Sequence, residues 1–410
     1  MTVSVYAAAL TSQPWPTGPL ASHIAWFAGR LAEQGYAHFT AQEKLRLVTH
    51  LNQWLQDQHL GAEALDEPCL DQFLQYHQQQ GRAPRHHRVT LQTFLQALRD
   101  AGMLPTPAQQ HSALDVLAQA FDDYLTSERG LAHITRAHYL PIVRRFLQER
   151  FGTGPLVLHA LDLHDVTQFL LRQAATVSPR HAQSIVSALR TFCRFLVQRG
   201  DMSADLAAAI PAVADWRLAT VPKALTPAQV TQLLQSCNQT HPTGQRDYTI
   251  VLLMARLGLR PGEVVAMTLD DLDWEAGTLL VRGKGGRRDR LPLPQDVGQA
   301  LATYLSNVRP RCATRRVFLR MKAPQYGFAN SVAICTLVRR ALERAGLEPP
   351  CKGAQILRHS LATNLLQAGA SMADISDVLR HRRPQTTEIY AKVDQAALGA
   401  LAQPWPGGAV

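Results

Sequence analysis

The sequence predicts two similar helical modules, mainly α, followed by an α+β C-terminal domain with a small antiparallel sheet. Three observations predict this. Matching blocks recur at nearly constant offset: GYAHFT at 35–40 with GLAHIT at 130–135, and LQTFLQALRDAG at 91–102 with LRTFCRFLVQRG at 189–200. Such self-similarity points to a duplicated unit. Apolar residues such as Leu45, Val48, Leu51 and Leu55 repeat at helical spacing inside the first copy. Later in the chain, GTLLVRGKGGRRDRLPLP reads as two alternating strands around a glycine-rich turn, set among helical patterns.

The elements follow in order. Residues 1–110 form the extra N-terminal module, a repeat of the next, and residues 111–205 form the second. Residues 206–223, with two prolines and little amphipathic pattern, read as a linker. Residues 224–395 form the α+β domain and 396–410 a tail. Thr226 is the expected N-cap of the domain's first helix, with Pro227 in its first position. Residues 244–258 read as a mostly buried helix, VAICTLVRRALERAG and ILRHSLATNLLQAG as further helices. SMADISDVL opens with a capping box from Ser371 to Asp374. In the tail, Val393, Ala397, Leu398 and Leu401 make one apolar stripe that Pro404 stops.

Composition narrows the function. Of 410 residues, 46% are hydrophobic, enough for a real core. The formal net charge of +10 points toward a polyanionic partner, although a basic enzyme surface would give the same figure. None of the six cysteines falls in a C-x-x-C pair, and no zinc-like spacing with histidine is present. They read as reduced, intracellular cysteines. The start lacks a signal-peptide n-region, and TIVLLMARLGL is too short to span a bilayer.

Candidate residues are individually bland. Arg260 and Glu263 in LGLRPGEV read alone as a surface ion pair. Lys284, with Arg282, Arg287, Arg288 and Arg290, reads as a solvated basic loop that also suits phosphate contacts. Arg358 lies inside an apolar helix, where a charge needs a partner. His381, within the basic run RHRR, and Tyr390, nine residues on, stand on either side of a short turn. Together they make a phosphoryl-transfer set. Arginine forks match phosphate oxygens and can stabilise a pentacoordinate phosphorane without a metal ion. Tyrosine can attack phosphorus, lysine can protonate a departing alkoxide, and histidine can orient an oxygen or move a proton.

LGLRPGE, RGKGGRRDRLPL, LRHSLATNLLQAGASMADISDVLRH and TTEIYAKV resemble the tyrosine recombinase (phage integrase) family, over roughly residues 112–395. The resemblance implies SAM-like helical DNA-binding modules ahead of a catalytic domain. It implies Arg260 and Arg358 as the phosphate clamp, Lys284 as general acid, His381 as a further phosphate contact, Tyr390 as nucleophile and Glu263 as their support. One position departs. The family usually has histidine three residues before the second arginine, and this chain has Gln355. Glutamine can bind a phosphate oxygen but cannot move a proton at neutral pH. His359, next to Arg358, is expected to point elsewhere on the helix.

The resemblance implies a site-specific recombinase on double-stranded DNA. Tyr390 would form a 3′-phosphotyrosyl link and free a 5′-hydroxyl, with bond energy conserved and therefore neither ATP nor a metal cofactor required. It implies a homotetramer on paired DNA sites, in the cytoplasm and associated with the nucleoid. The extra module favours integration or transposition of a mobile element over chromosome dimer resolution. Rival readings are an accessory recombinase acting beside another recombinase, a non-catalytic DNA-binding regulator, and a type IB topoisomerase.

Overall fold

The computed structural model describes residues 17–81, 86–105, 112–203, 205–214, 221–283, 285–394 and 398–399. The chain divides into two compact units, residues 1–106 with 220–410, and residues 107–219. It is mostly helical with one three-stranded antiparallel sheet.

In the N-terminal segment, α1 (Ala21–Glu33), α2 (His38–Asp57), α3 (Glu67–Gln79) and α4 (His87–Asp100) enclose Ile24, Phe27, Leu51, Phe73 and Phe94. In residues 107–219, α5 (Ala113–Ser127), α6 (His133–Phe151), α7 (Leu163–Ala174) and α8 (Pro179–Arg199) enclose Phe121, Phe146, Phe169 and Phe192. The local plan repeats. GYAHFT and GLAHIT each enter the second helix through an extended alanine, Ala37 (φ −61°, ψ 145°) and Ala132 (φ −60°, ψ 145°). A 3₁₀ turn follows in each, Ala62–Ala64 and Leu158–Ala160. The third helix then starts on an aspartate cap: Asp66 accepts from the Cys69 N–H at 2.8 Å, and Asp162 from the Asp165 N–H at 2.8 Å. Each carboxylate satisfies an N–H that the helix leaves orphaned. The segment read as a linker begins with α9 (Leu206–Ala209), whose Ala207 joins the core of residues 107–219 together with Ile210.

The C-terminal segment opens with α10 (Pro227–Gln235), capped as expected. Thr226 Oγ1 accepts from the Gln229 N–H at 3.2 Å, and Gln229 Oε1 accepts from the Thr226 N–H at 3.0 Å. Helix α11 (Pro242–Leu257) forms the centre; Ile250, Val251, Leu252, Leu253 and Met254 are at most 2% exposed. After α12 (Pro261–Ala266) come β1 (Leu272–Asp273), β2 (Thr278–Arg282) and β3 (Arg288–Pro292). The β2–β3 hairpin pairs Leu280 with Arg290 and Arg282 with Arg288. The sequence pattern missed β1, because two residues carry no periodicity. Helices α13 (Gln295–Asn307) and α15 (Gln355–Gln367) pack on α11, and α14 (Val332–Arg344) on α12. Helix α16 (Met372–Val378) and 3₁₀ turns Pro384–Thr386 and Glu388–Val393 follow. Ser371 caps α16 through the expected reciprocal bonds with Asp374.

A small second apolar cluster sits here, with Ala362, Ile375, Leu379 and Tyr390 buried and Leu361, Leu365, Ile389 and Val393 around them. The N-terminal segment meets the C-terminal one where the Gln325 N–H donates to the Gln34 carbonyl at 2.9 Å. All six cysteines are unpaired. Among the described residues no helix is long and apolar enough to cross a membrane. Of the expected tail stripe, Ala397 and Leu401 lie outside the described residues.

Candidate active site

The site is built where α11 ends. Gly258 has φ +59°, and a Cβ there would meet Leu379 Cδ2 at 2.9 Å and Leu361 Cδ2 at 3.0 Å. Glycine alone serves both the left-handed backbone and the close approach. The chain then turns so that Arg260 stands just before α12, with Glu263 in its first turn.

Glu263 is not part of a surface pair, as its fragment alone suggests. It is 7% exposed and collects three donors. Its carboxylate accepts from the Arg260 N–H at 2.8 Å, Arg260 Nη1 at 2.8 Å and Arg380 Nη2 at 3.0 Å. The Arg260 side chain is still 38% exposed, so one face of its guanidinium is open to a ligand.

Arg358 is buried in α15. Its Nη1 donates to the Gly258 carbonyl at 2.5 Å, and its Nη2 donates to the Leu379 carbonyl. It thereby ties the α11–α12 turn to the end of α16. Burial, with the like charges of Arg260 and Arg380, lowers its pKa to about 10, and it remains charged at neutral pH.

The basic run divides. Arg380 turns inward, with its side chain 4% exposed, while Arg382 and Arg383 face solvent. Arg380 has φ +55°, a conformation that costs a residue with a Cβ. Its guanidinium also donates to the carbonyls of Leu257 and Val378, at 3.3 and 3.4 Å. His381 follows, with Nδ1 at 2.8 Å from Thr387 Oγ1. Burial pushes its pKa down to about 4, helped by Arg358, Arg260 and Arg380. The ring is neutral at neutral pH.

Tyr390 is 1% exposed. Burial pushes its phenol up to about 12, while the charges of Arg358 and Arg260 pull the other way. Its Oη lies 2.9 Å from His359 Nδ1, with the rings 5.8 Å apart. This corrects the expectation for His359. On α15 its direction does differ from that of Arg358, but the 3₁₀ turn Glu388–Val393 packs on α15 and brings Tyr390 to it.

Gln355 is exposed in the first turn of α15, and among the described residues no hydrogen bond joins it to the others. Lys284 lies outside the described residues. Of the hairpin arginines, Arg282 pairs with Asp271 at 2.8 Å, Arg287 with Asp289 at 2.8 Å and Arg290 with Asp273 at 3.4 Å. Arg288 is exposed and without an ion pair among the described residues. Arg260, Arg358, His381 and Tyr390 are thus brought together. Arg380 and His359 are the members that sequence reasoning missed. Arg380 offered only its place in a basic run, and His359 only its adjacency to Arg358.

Residues 223–397 match the model of the "Phage integrase family", and residues 118–200 that of the "Phage integrase, N-terminal SAM-like domain". The chain is 41% identical over 397 residues to y4rA of Sinorhizobium fredii (strain NBRC 101917 / NGR234), named as an integrase/recombinase, covering 96% of each. It is 33% identical over 307 residues to tyrosine recombinase XerD of Mycobacterium tuberculosis (strain CDC 1551 / Oshkosh), covering 70% of this chain and 96% of XerD. Among solved structures, XerH bound to palindromic difH substrate superposes with a TM-score of 0.53 at 18% identity, covering 69% of this chain and 83% of that one. A lambda integrase dimer bound to a COC′ core site gives a TM-score of 0.52 at 17% identity, covering 72% and 98%. The structures share the fold, and the sequence relatives carry the assignment: the chain belongs to the phage integrase family, the tyrosine recombinases, which are DNA breaking and rejoining enzymes.

Proposed function

We propose that this chain is a site-specific DNA recombinase that integrates or transposes a mobile element through a 3′-phosphotyrosyl intermediate. The observation that supports it is one connected network. Arg260 reaches Glu263, Glu263 reaches Arg380, and Arg380 leads into His381; Arg358 ties Gly258 to Leu379, and its neighbour His359 touches Tyr390. A scissile phosphate on the open face of Arg260 would lie near both the second arginine and the phenol. The buried Arg358 and Arg380, and Arg260 held by Glu263, are fixed before substrate arrives, which is the condition for electrostatic stabilisation of a phosphorane.

In this reading Tyr390 attacks phosphorus and the 5′-oxygen departs, taking a proton from Lys284. The neutral His381 contacts a phosphate oxygen, and Gln355 donates a hydrogen bond to another. Arg282, Arg287, Arg288 and Arg290 contact neighbouring backbone phosphates of double-stranded DNA. Exposed pairs such as Arg290–Asp273 are worth about 0–1 kcal/mol, so exchanging aspartate for phosphate there is cheap. The 5′-hydroxyl of another duplex later reverses the attack, so no cofactor is consumed.

A homotetramer on paired sites, in the cytoplasm at the nucleoid, completes the proposal; another recombinase is a second candidate partner. The mobile-element role is favoured by the N-terminal segment ahead of the SAM-like match and by y4rA, which matches along 96% of both chains. Incubation with nicked target DNA followed by a denaturing gel tests the reading. The wild-type chain should form a covalent adduct in EDTA, and Tyr390→Phe should form none while still binding. Equal adducts from both would overturn it.

A further inference from the structure

Gln355 leaves the reaction without a proton acceptor where the family usually has one, yet the tyrosine must lose its proton as it attacks. A phenol pushed up to about 12 keeps that proton at neutral pH. Alkoxide-like character at Oη therefore requires a base within hydrogen-bond reach. One group meets that condition among the described residues: His359 Nδ1, at 2.9 Å.

We propose that His359 is a catalytic residue of this chain, the general base that takes the proton of Tyr390. The inference rests on Tyr390 being the nucleophile. Three features support the assignment. The contact is to the reacting oxygen itself. His359 is rigidly placed, being the residue after the buried Arg358 on the same helix, so the base and the clamp move as one body. Burial first, and the charge of Arg358 second, keep its pKa below the ordinary value, and a neutral ring has the free lone pair that an acceptor needs. The charged or titratable groups that act on this corner are Arg358 on its own helix, Tyr390, Arg260 from the turn before α12, and His381 from the turn after α16.

The step balances. The proton of Tyr390 Oη moves to His359 Nδ1 as the Oη–P bond forms. The bond from phosphorus to the 5′-oxygen breaks, and that oxygen leaves with a proton from Lys284. In rejoining, the 5′-hydroxyl gives its proton back to Lys284 as its oxygen attacks phosphorus, the Oη–P bond breaks, and the imidazolium returns its proton to Oη. Gln355, unable to carry a proton, is left with phosphate binding alone. The histidine missing from one turn of α15 is replaced in function by one on the next turn.

The test compares adduct formation by the wild-type chain, His359→Ala, His359→Gln, Lys284→Ala and Tyr390→Phe. Two nicked DNAs are used, one ordinary and one with sulfur in place of the 5′-bridging oxygen at the scissile phosphate. A thiolate leaves without a proton, so sulfur should relieve Lys284→Ala. It should not relieve His359→Ala or His359→Gln, which should be about 100- to 10,000-fold slow on both DNAs. DNA affinity and melting temperature should stay near wild type in His359→Gln, which keeps a polar contact to the phenol. Replacing Tyr390 with a ring-fluorinated, more acidic tyrosine should narrow the His359→Ala deficit.

Wild-type rates from either His359 variant would overturn the proposal. So would a deficit untouched by the more acidic phenol, which would make His359 a positioning group. Loss of the cooperative melt in both variants would make it a packing residue, again against the proposal. Failure of the underlying reading looks different: no adduct from the wild-type chain on either DNA, or adducts that survive Tyr390→Phe.

Discussion

Replacing Arg380 separates what its guanidinium does from what its backbone costs. Its side chain is 4% exposed and the side chain of its partner Glu263 5% exposed. Removing one member of a buried pair costs about 3–5 kcal/mol, chiefly because the other charge is left without its partner. Glu263 keeps two donors on Arg260, so the lower figure, about 3 kcal/mol, applies to Arg380→Ala. Arg380→Gly loses the same pair but relieves the strain at φ +55°. Left-handed backbone costs a residue with a Cβ about 1–2 kcal/mol relative to glycine. The greater freedom of glycine in the unfolded chain takes back about half of that. Arg380→Gly should therefore be the more stable variant by roughly 0.5–1 kcal/mol, although both fall below wild type. For a domain of this size that is a lead of about 1–4 °C in melting temperature. Thermal melts of the full chain followed by circular dichroism measure it. Alanine equal to or above glycine would refute the strain argument, and two wild-type melts would refute the buried pair. Both variants should also lose cleavage, since Glu263 holds Arg260.

Three further outcomes are expected. Gln355→Ala should slow cleavage roughly 10- to 1,000-fold, the range for one oxyanion donor, and Gln355→His should retain it; an alanine variant at full rate would remove Gln355 from the site. Arg288→Ala should lower the magnitude of the log K against log salt slope by about 0.9, the value for one phosphate contact, with an unchanged slope counting against a hairpin–DNA contact. The His381 pKa, lowered to about 4 in the folded chain, means that the unfolded state binds more protons between pH 4 and the ordinary 6.5. Stability should therefore fall on acidification through that window, and His381→Gln should flatten the decline. An equal slope in both chains would show His381 to be solvated.

Particular residues show what could be read beforehand. The helix starts at Thr226 and Ser371 were legible because capping is local chemistry, written within four residues. The hairpin was legible because alternation around glycines is also local. The Arg260, Arg358, His381 and Tyr390 set was legible through motif spacing. Burial was not. Glu263 looked like a surface partner because nothing within its own segment shows that Arg380, far along the chain, closes over it. The direction of His359 was misread for a similar reason. Helical periodicity separates it from Arg358, but its contact is set by how the Glu388–Val393 turn packs on α15. Both failures concern contacts made by distant segments, which no local pattern records.

The central claim is that Tyr390 becomes joined to the 3′ side of a DNA break. The most direct measurement traps the adduct on nicked target DNA, digests the protein, and sequences the DNA-bearing peptide while testing the freed strand end for labelling by polynucleotide kinase. The account predicts that the DNA rides on Tyr390 through a 3′-phosphate, and that the freed end is a 5′-hydroxyl that labels without phosphatase treatment. DNA attached to any other residue, or a freed end that labels only after phosphatase, would contradict it.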